Sequence, residues 1–252
     1  MADYFVINGG KKLEGEISIG NAKNASLKIL AASILARKPI KISNLPQIED
    51  INRMKELLVD LGAKFDFESL NSARIKKTDL NYKIADRFRA SIVLTGPILA
   101  RYGKVSFPHP GGCTLGKRPI NFFIDGFKAL GARVQKTGQI FTVSSKKLIG
   151  GKFVFPNVSV TGTENMMMAA TLAKGKTILK NSACEPEIEN LAAFLNSLGA
   201  KISGAGTPII EIEGVETLSG GTWNGMPDRI EAGTFIILAA ATRSRLKIKN
   251  CD

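Results

Sequence analysis

Leu61-Gly62-Ala63-Lys64 returns in this chain as Leu130-Gly131-Ala132-Arg133 and again as Leu198-Gly199-Ala200-Lys201, at spacings of 69 and 68 residues. Glycine directly after leucine reads as a helix C-terminus, where the chain turns left-handed and any side chain would be strained. The residues upstream agree. Ile51, Met54, Leu57, Leu58 and Leu61 fall on one helical stripe, and Ile188, Leu191, Phe194, Leu195 and Leu198 repeat it 137 residues later. The middle copy keeps Ile120, Phe123, Phe127 and Leu130. Alternating Val, Ile and Phe after each copy read as strand.

A second helix precedes each of these units. It carries Leu27, Leu30, Ala31, Ile34 and Leu35 in the first, and Met167, Met168, Thr171 and Leu172 in the third. Both run into a short strand, Lys41-Ile42-Ser43-Asn44 and Ile178-Leu179-Lys180-Asn181. Each unit is therefore helix, strand, helix, strands, and none could bury both sides of its apolar elements alone. Three units sharing their helices make an α/β domain. A fourth begins with an apolar helix over residues 231–241, followed by Leu246-Lys247-Ile248-Lys249-Asn250, which aligns with the strand ending at Asn44. Its own Leu-Gly-Ala would fall near position 267, beyond Asp252, so the reading expects the front part of a longer protein.

The composition narrows the function class. A chain of 252 residues that is 44% hydrophobic can bury one large core or two smaller ones. Its uncharged apolar runs are too short to span a bilayer, and its first residues lack the order of a signal peptide. Three cysteines, Cys113, Cys184 and Cys251, are odd in number and widely spaced, which argues against a disulfide framework and a zinc site. A soluble protein in a reducing, cytoplasmic compartment is expected. The net charge of +13 invites a nucleic-acid reading, but the basic residues are scattered, aromatics are 7%, and no nucleic-acid motif appears. The excess suits substrates that carry phosphates or carboxylates.

Two stretches carry chemistry. Pro110-Gly111-Gly112-Cys113-Thr114-Leu115-Gly116-Lys117-Arg118-Pro119 combines backbone freedom, a thiol and two adjacent cations. It sits where one unit departs from the repeat: Ile42 to Leu61 and Leu179 to Leu198 are both 19 positions, whereas Phe107 to Leu130 is 23. Four extra residues in one of three equivalent connections point to function, because the other units close without them. Pro119 reads as a first helical residue, putting Cys113, Lys117 and Arg118 near a helix N-terminus that attracts anions. The second stretch, Gly20-Asn21-Ala22-Lys23-Asn24-Ala25-Ser26, places an ammonium and an amide at another helix N-terminus. Taken alone, Asn24 could simply cap that helix and Lys23 could be solvated.

Together the two stretches resemble the bacterial UDP-N-acetylglucosamine enolpyruvyl transferases, which begin peptidoglycan synthesis. The resemblance extends through Leu13-Glu14-Gly15-Glu16-Ile17, Phe88-Arg89-Ala90-Ser91, Glu185-Pro186-Glu187-Ile188 and Pro227-Asp228-Arg229-Ile230-Glu231-Ala232-Gly233-Thr234, and runs from residue 5 to residue 252. It implies an inside-out α/β barrel of repeated helix-strand-helix-strand units, in two domains with the active site between them. Residues 23–228 would form the first domain, and residues 1–22 and 229–252 parts of an incomplete second.

The implied reaction moves the enolpyruvyl group of phosphoenolpyruvate to the 3-hydroxyl of UDP-N-acetylglucosamine by addition and elimination. That would serve cell-wall building, and through it cell shape and division. No metal or cofactor is implied, and neither nucleic acid nor membrane is an expected partner. By the same resemblance, Cys113 is the proton donor; Lys23, Asn24 and Arg118 hold phosphoenolpyruvate. Arg89, Arg118, Pro119, Ile120, Asn121, Phe122, Asn157, Val158, Ser159 and Val160 would bind the sugar nucleotide. The chain departs from the family at Asn121 and Phe123, where Asp and His are common, and at Asn157, a Lys in some members. The base for the sugar hydroxyl belongs to the second domain in that family; Asp228 and Glu231 read instead as helix N-terminal charges. His109 reads as positional, and Met166, Met167 and Met168 as core. Two alternatives stay open: a shikimate-type enolpyruvyl transferase, and a non-catalytic domain that binds phosphorylated sugars or polyanions.

Overall fold

The computed structural model describes residues 4–111 and 120–252. The first unit runs α1 (Lys23–Ala32), β2 (Ile40–Ile42), α2 (Glu49–Leu61) and the hairpin β3 (Lys64–Asp66) to β4 (Ser69–Asn71), with β1 (Glu14–Ser18) ahead of it. After the short α3 (Tyr82–Ala85), the second unit is α4 (Thr95–Tyr102), β5 (Lys104–Pro108), α5 (Asn121–Ala129), β6 (Arg133–Thr137) and β7 (Ile140–Ser144). The third follows β8 (Lys152–Val154) with α6 (Val160–Thr171), β9 (Lys176–Lys180), α7 (Pro186–Ser197), β10 (Lys201–Ser203) and β11 (Ile209–Glu213). The chain then passes through β12 (Gly221–Trp223) into α8 (Arg229–Thr242) and β13 (Arg245–Lys249).

The predicted helix ends hold. Gly62, Gly131 and Gly199 have φ of 113°, 83° and 105°, the left-handed backbone that lets the last carbonyls of each helix bond back into the turn. The first helices are more deeply placed than a stripe implies. Every residue of α1 from 25 to 32 and of α6 from 162 to 171 is buried, including Met166, Met167 and Met168. Inner α1, α4 and α6 are jacketed by the amphipathic α2, α5 and α7, and the sheets lie outside them with one face to solvent. That is the inside-out layering, assembled from separate sheets of two, three and four strands rather than one closed barrel.

Each unit's sheet borrows a strand from the connection that leads into it. β8, leaving the second unit, pairs in parallel with β9 of the third, and β12, leaving the third, pairs in parallel with β2 of the first. Asp79, leaving the first, bridges in parallel to Ser106 on β5. The exchange is cyclic, so the three units close into a ring around α1, α4 and α6. β1 pairs in parallel with β13 by the same rule.

A repeated asparagine clasp pins these parallel pairs. Asn44, Asn181 and Asn250 follow β2, β9 and β13 with φ of 60°, 55° and 51°, a region asparagine tolerates better than other side chains. Each Nδ2 donates to the carbonyl just past the borrowed strand: Asn44 to Asn224 at 3.4 Å, Asn181 to Phe155 at 2.9 Å, Asn250 to Ile19 at 2.7 Å. The corresponding position of the second unit is His109, at the entrance to the loop of residues 110–119.

Candidate functional site

Lys23, Asn24 and Arg89 come together on one cleft of about 270 Å³, with Lys28, Arg87 and Thr161 also on its wall. Three N-termini deliver them. Lys23 and Asn24 open α1, Thr161 is the second residue of α6, and Arg89 opens the 3-10 turn Arg89–Leu94. Asp50, second in α2, faces Lys23 with Nζ to Oδ2 at 3.2 Å. Both side chains are partly exposed, so the pair is a weak one that an anionic ligand can contest.

Asn24 does not cap α1. The N-cap is Ala22, and the helix's first N–H is taken from outside, Lys23 donating to Asp228 Oδ2 at 3.3 Å. Asp228 also caps α8 through Oδ1, accepting from Ile230 and Glu231 at 2.8 and 3.2 Å. Glu231 accepts from the Gly20 N–H at 2.8 Å. The expected helix-terminal roles of Asp228 and Glu231 are the ones observed, and the Asn24 amide is left beside the cleft. Backbone bonds from Ala22 to Met226 and from Asp228 to Gly20 lash the two chain crossings together next to it.

Asn165 fixes the angle between the inner helices behind the cleft. Its Oδ1 accepts from the Gly96 N–H at 2.7 Å, and its Nδ2 donates to Ile92 O at 3.1 Å and Thr95 Oγ1 at 2.9 Å. Gly96 is required by that approach, since a Cβ there would lie 2.3 Å from Asn165 Oδ1.

Cys113, Arg118 and Pro119 lie outside the described residues. The described ends of their loop are informative. Gly111 is pressed against Asp86, where a Cβ would meet the main-chain oxygen at 2.0 Å, and Asp86 directly precedes the cleft residues Arg87, Phe88 and Arg89. The loop therefore leaves from the cleft's rim. At its other end the buried Ile120 precedes α5, and Asn121 after it is exposed. Phe122 packs partly on the core, 5.9 Å from the ring of Phe123. Asn157 and Val158 are exposed, and Ser159 caps α6 by accepting from Gly162 N at 3.1 Å, which seats Val160 next to Thr161. These four run up to Thr161, the residue of α6 that lines the cleft, while Asn121 and Phe122 belong to α5.

Beneath the cleft lies an interior pair that the sequence reading did not single out. Lys28 Nζ stands 3.2 Å from Glu164 Oε2, and the side chains are 8% and 0% exposed. Lys28 is the only cation within ion-pair distance of Glu164 among the described residues. Burial pushes the Glu164 carboxyl up to about 7, against the pull of Lys28 and with the help of Glu187 and Glu185 nearby. Glu187 itself is held by Arg229 at 3.1 and 3.2 Å.

A cyclic ring of three α/β units with cations and helix N-termini gathered on one polar cleft defines an α/β repeat protein with a cationic ligand site. The chain belongs to the family described as EPSP synthase (3-phosphoshikimate 1-carboxyvinyltransferase), whose model matches residues 7–252. Among curated proteins it is similar to the UDP-N-acetylglucosamine 1-carboxyvinyltransferases of Coxiella burnetii strains Dugway 5J108-111 and RSA 493 / Nine Mile phase I, at 45% identity over 98% of this chain and 58% of theirs. It thus spans little more than half the length of the curated relatives it matches. Among solved structures, the enolpyruvyl transferase NikO from Streptomyces tendae matches with TM-score 0.76 at 21% identity, covering 91% of this chain and 56% of that one. An EPSP synthase from Acinetobacter baumannii matches with TM-score 0.71 at 19% identity, covering 92% and 54%. At those identities the structures speak for the fold.

Proposed function

We propose that this chain supplies one wall of the active site of a UDP-N-acetylglucosamine 1-carboxyvinyltransferase, acting in peptidoglycan synthesis in the cytoplasm. The observation that carries the reading is the convergence of Lys23, Asn24 and Arg89 on one cleft whose rim, at Asp86, touches the start of the Cys113 loop. The 45% identity to proteins of that name supports the substrate pair of UDP-N-acetylglucosamine and phosphoenolpyruvate.

In this reading Lys23 and Asn24 hold phosphoenolpyruvate, with Arg118 on its phosphate, and Arg89 contacts both substrates through a planar fork suited to phosphate or carboxylate. Residues 118–122 and 157–160 border the nucleotide. Cys113 delivers a proton to the methylene carbon as the sugar's 3-hydroxyl attacks the neighbouring carbon. A proton then leaves that methyl group, the double bond re-forms and phosphate departs. Residues 23–228 form the first domain; residues 1–22 and 229–252 belong to a second, which carries the base for the hydroxyl. The pairing of β1 with β13, and the exposure of α8, support that division. One wall supplies only part of the orientation and charge stabilisation, so the 252-residue chain binds ligands without turnover.

The test is phosphate release by the 252-residue chain and by a protein extended to its relatives' length, with each substrate omitted in turn. Release by the longer protein, dependent on both substrates, supports the reading. Release with shikimate 3-phosphate in place of the sugar nucleotide overturns the substrate assignment, and full activity of the shorter chain overturns the two-wall argument.

A further inference from the structure

We infer that Lys28 is an additional anion-binding residue of the cleft, its ammonium held at the cleft floor by Glu164 and presented there to a phosphate or carboxylate of the ligand. The identity of that ligand rests on the function proposed above; the anion site itself rests on geometry. Asn24 and Lys28 are four residues apart on α1 and share a face, so Lys28 lies one turn deeper behind Asn24. Thr161 and Glu164, three apart on α6, share a face likewise. Asn24, Lys28 and Thr161 all line the cleft, and the Lys28–Glu164 pair joins the two helices beneath it.

The pair is unlike one kept for stability. Buried ion pairs replaced by apolar residues of similar volume are often neutral or stabilising, and those that stabilise satisfy their remaining oxygens and protons. Here Lys28 is the carboxylate's one cationic partner, Oε1 has no hydrogen bond, and Glu164 is the only carboxylate within ion-pair distance of Lys28 among the described residues. An ammonium has three donors, and a single ion pair leaves this cleft-lining one with capacity to spare. The raised Glu164 carboxyl fits the same role, because a partner that is partly protonated near neutrality competes weakly with an arriving anion.

Titrating the full 252-residue chain and its variants with phosphoenolpyruvate and with inorganic phosphate, by calorimetry, decides the matter. The double variant Lys28→Met with Glu164→Gln keeps the interior neutral and should retain its melting temperature while binding phosphoenolpyruvate about fivefold or more weakly, as befits a lost charge-assisted contact. Glu164→Gln alone, which frees the ammonium, should bind at least as tightly as the wild type. Unchanged binding in the double variant overturns the inference, as does Glu164→Gln weakening binding as much as the double variant does. If the double variant fails to fold, the sign of the Glu164→Gln effect decides alone. Phosphate and phosphoenolpyruvate binding alike, both dependent on Lys28, would keep the anion site and remove the enolpyruvyl reading; binding of neither by the wild type would overturn both.

Discussion

α6 and α8 are the opening helices of successive repeat units, both rich in apolar residues, yet they meet opposite fates. In α6 every residue from 162 to 171 is buried, polar Glu164 and Asn165 among them. In α8 only Ala232 is buried, and Ile236 and Ile237 are 55% and 70% exposed. Both are followed by a strand, a parallel partner strand and an asparagine clasp. What differs is the ring. α6 is enclosed because β8 and β12 carry the chain from unit to unit until the cycle closes, whereas α8 packs chiefly on β13 and reaches α7 through Arg229 at its N-terminus. Local pattern makes the helix, and the closed cycle buries it.

Mutations should expose that difference, beginning with the largest. Asn165→Ala leaves the buried Gly96 N–H without an acceptor and opens a gap between α4 and α6, while Thr95 Oγ1 and Ile92 O keep their mutual hydrogen bond, and should cost about 3 kcal/mol in chemical denaturation. The exposed Thr234→Ala of α8, whose hydroxyl reaches only Ile230 O, should stay within about 0.5 kcal/mol. Comparable losses at the two sites would break the comparison. A purely apolar version follows: Leu30→Ala in the fully buried α1 should cost about 3 kcal/mol, and Ile237→Ala within about 0.5 kcal/mol.

A subtler test uses pH. The Glu164 carboxyl is raised in the folded protein, so the folded state binds its proton more tightly than the unfolded state does. Its stabilising contribution is full below the ordinary carboxyl range near 4.5 and disappears as pH rises through about 7. Relative to wild type, Glu164→Gln should therefore gain on the order of 2–3 kcal/mol between pH 4.5 and 8, read from denaturation midpoints across that range. A pH-independent difference would mean that the carboxylate is better solvated than its burial indicates. Smallest of all, Asn181→Ala and Asn250→Ala each remove one clasp. About 1 kcal/mol is expected at Asn181, and less at Asn250, where local fraying of α8 and β13 already competes with the folded arrangement.

The repeat itself was legible because it is written in local chemistry. Glycines after Leu61, Leu130 and Leu198 announce left-handed helix ends whatever lies around them, and the alignment of Asn250 with Asn44 carried the register into the fourth unit. The asparagines were in view as strand ends, but not as clasps, since their partners Asn224, Phe155 and Ile19 lie 180, 26 and 231 residues away. The cyclic exchange of strands was hidden for the same reason. At the cleft, Lys23, Asn24 and Arg89 were named from motif resemblance. Lys28, a charge between Leu27 and Ile29, and Glu164, a charge just ahead of the Met166–Met168 run, carry no motif of their own. Only the packing of α1 against α6 makes that oddity meaningful. Asp50 is one of two acids in the first turn of α2, and its contact with Lys23 shows only in the structure.

Hydrogen exchange followed by mass spectrometry on the 252-residue chain, with and without UDP-N-acetylglucosamine and phosphoenolpyruvate, tests the central claim most directly. That claim is that a closed ring of three units carries the ligand cleft while the fourth unit stays open. The account predicts slow exchange in α1 and α6, fast exchange in α8, and added protection on ligand binding confined to residues 23–28, 87–93, 111–122 and 157–161. An α8 as protected as α6, or ligand protection that leaves those segments unchanged and appears elsewhere, would contradict it.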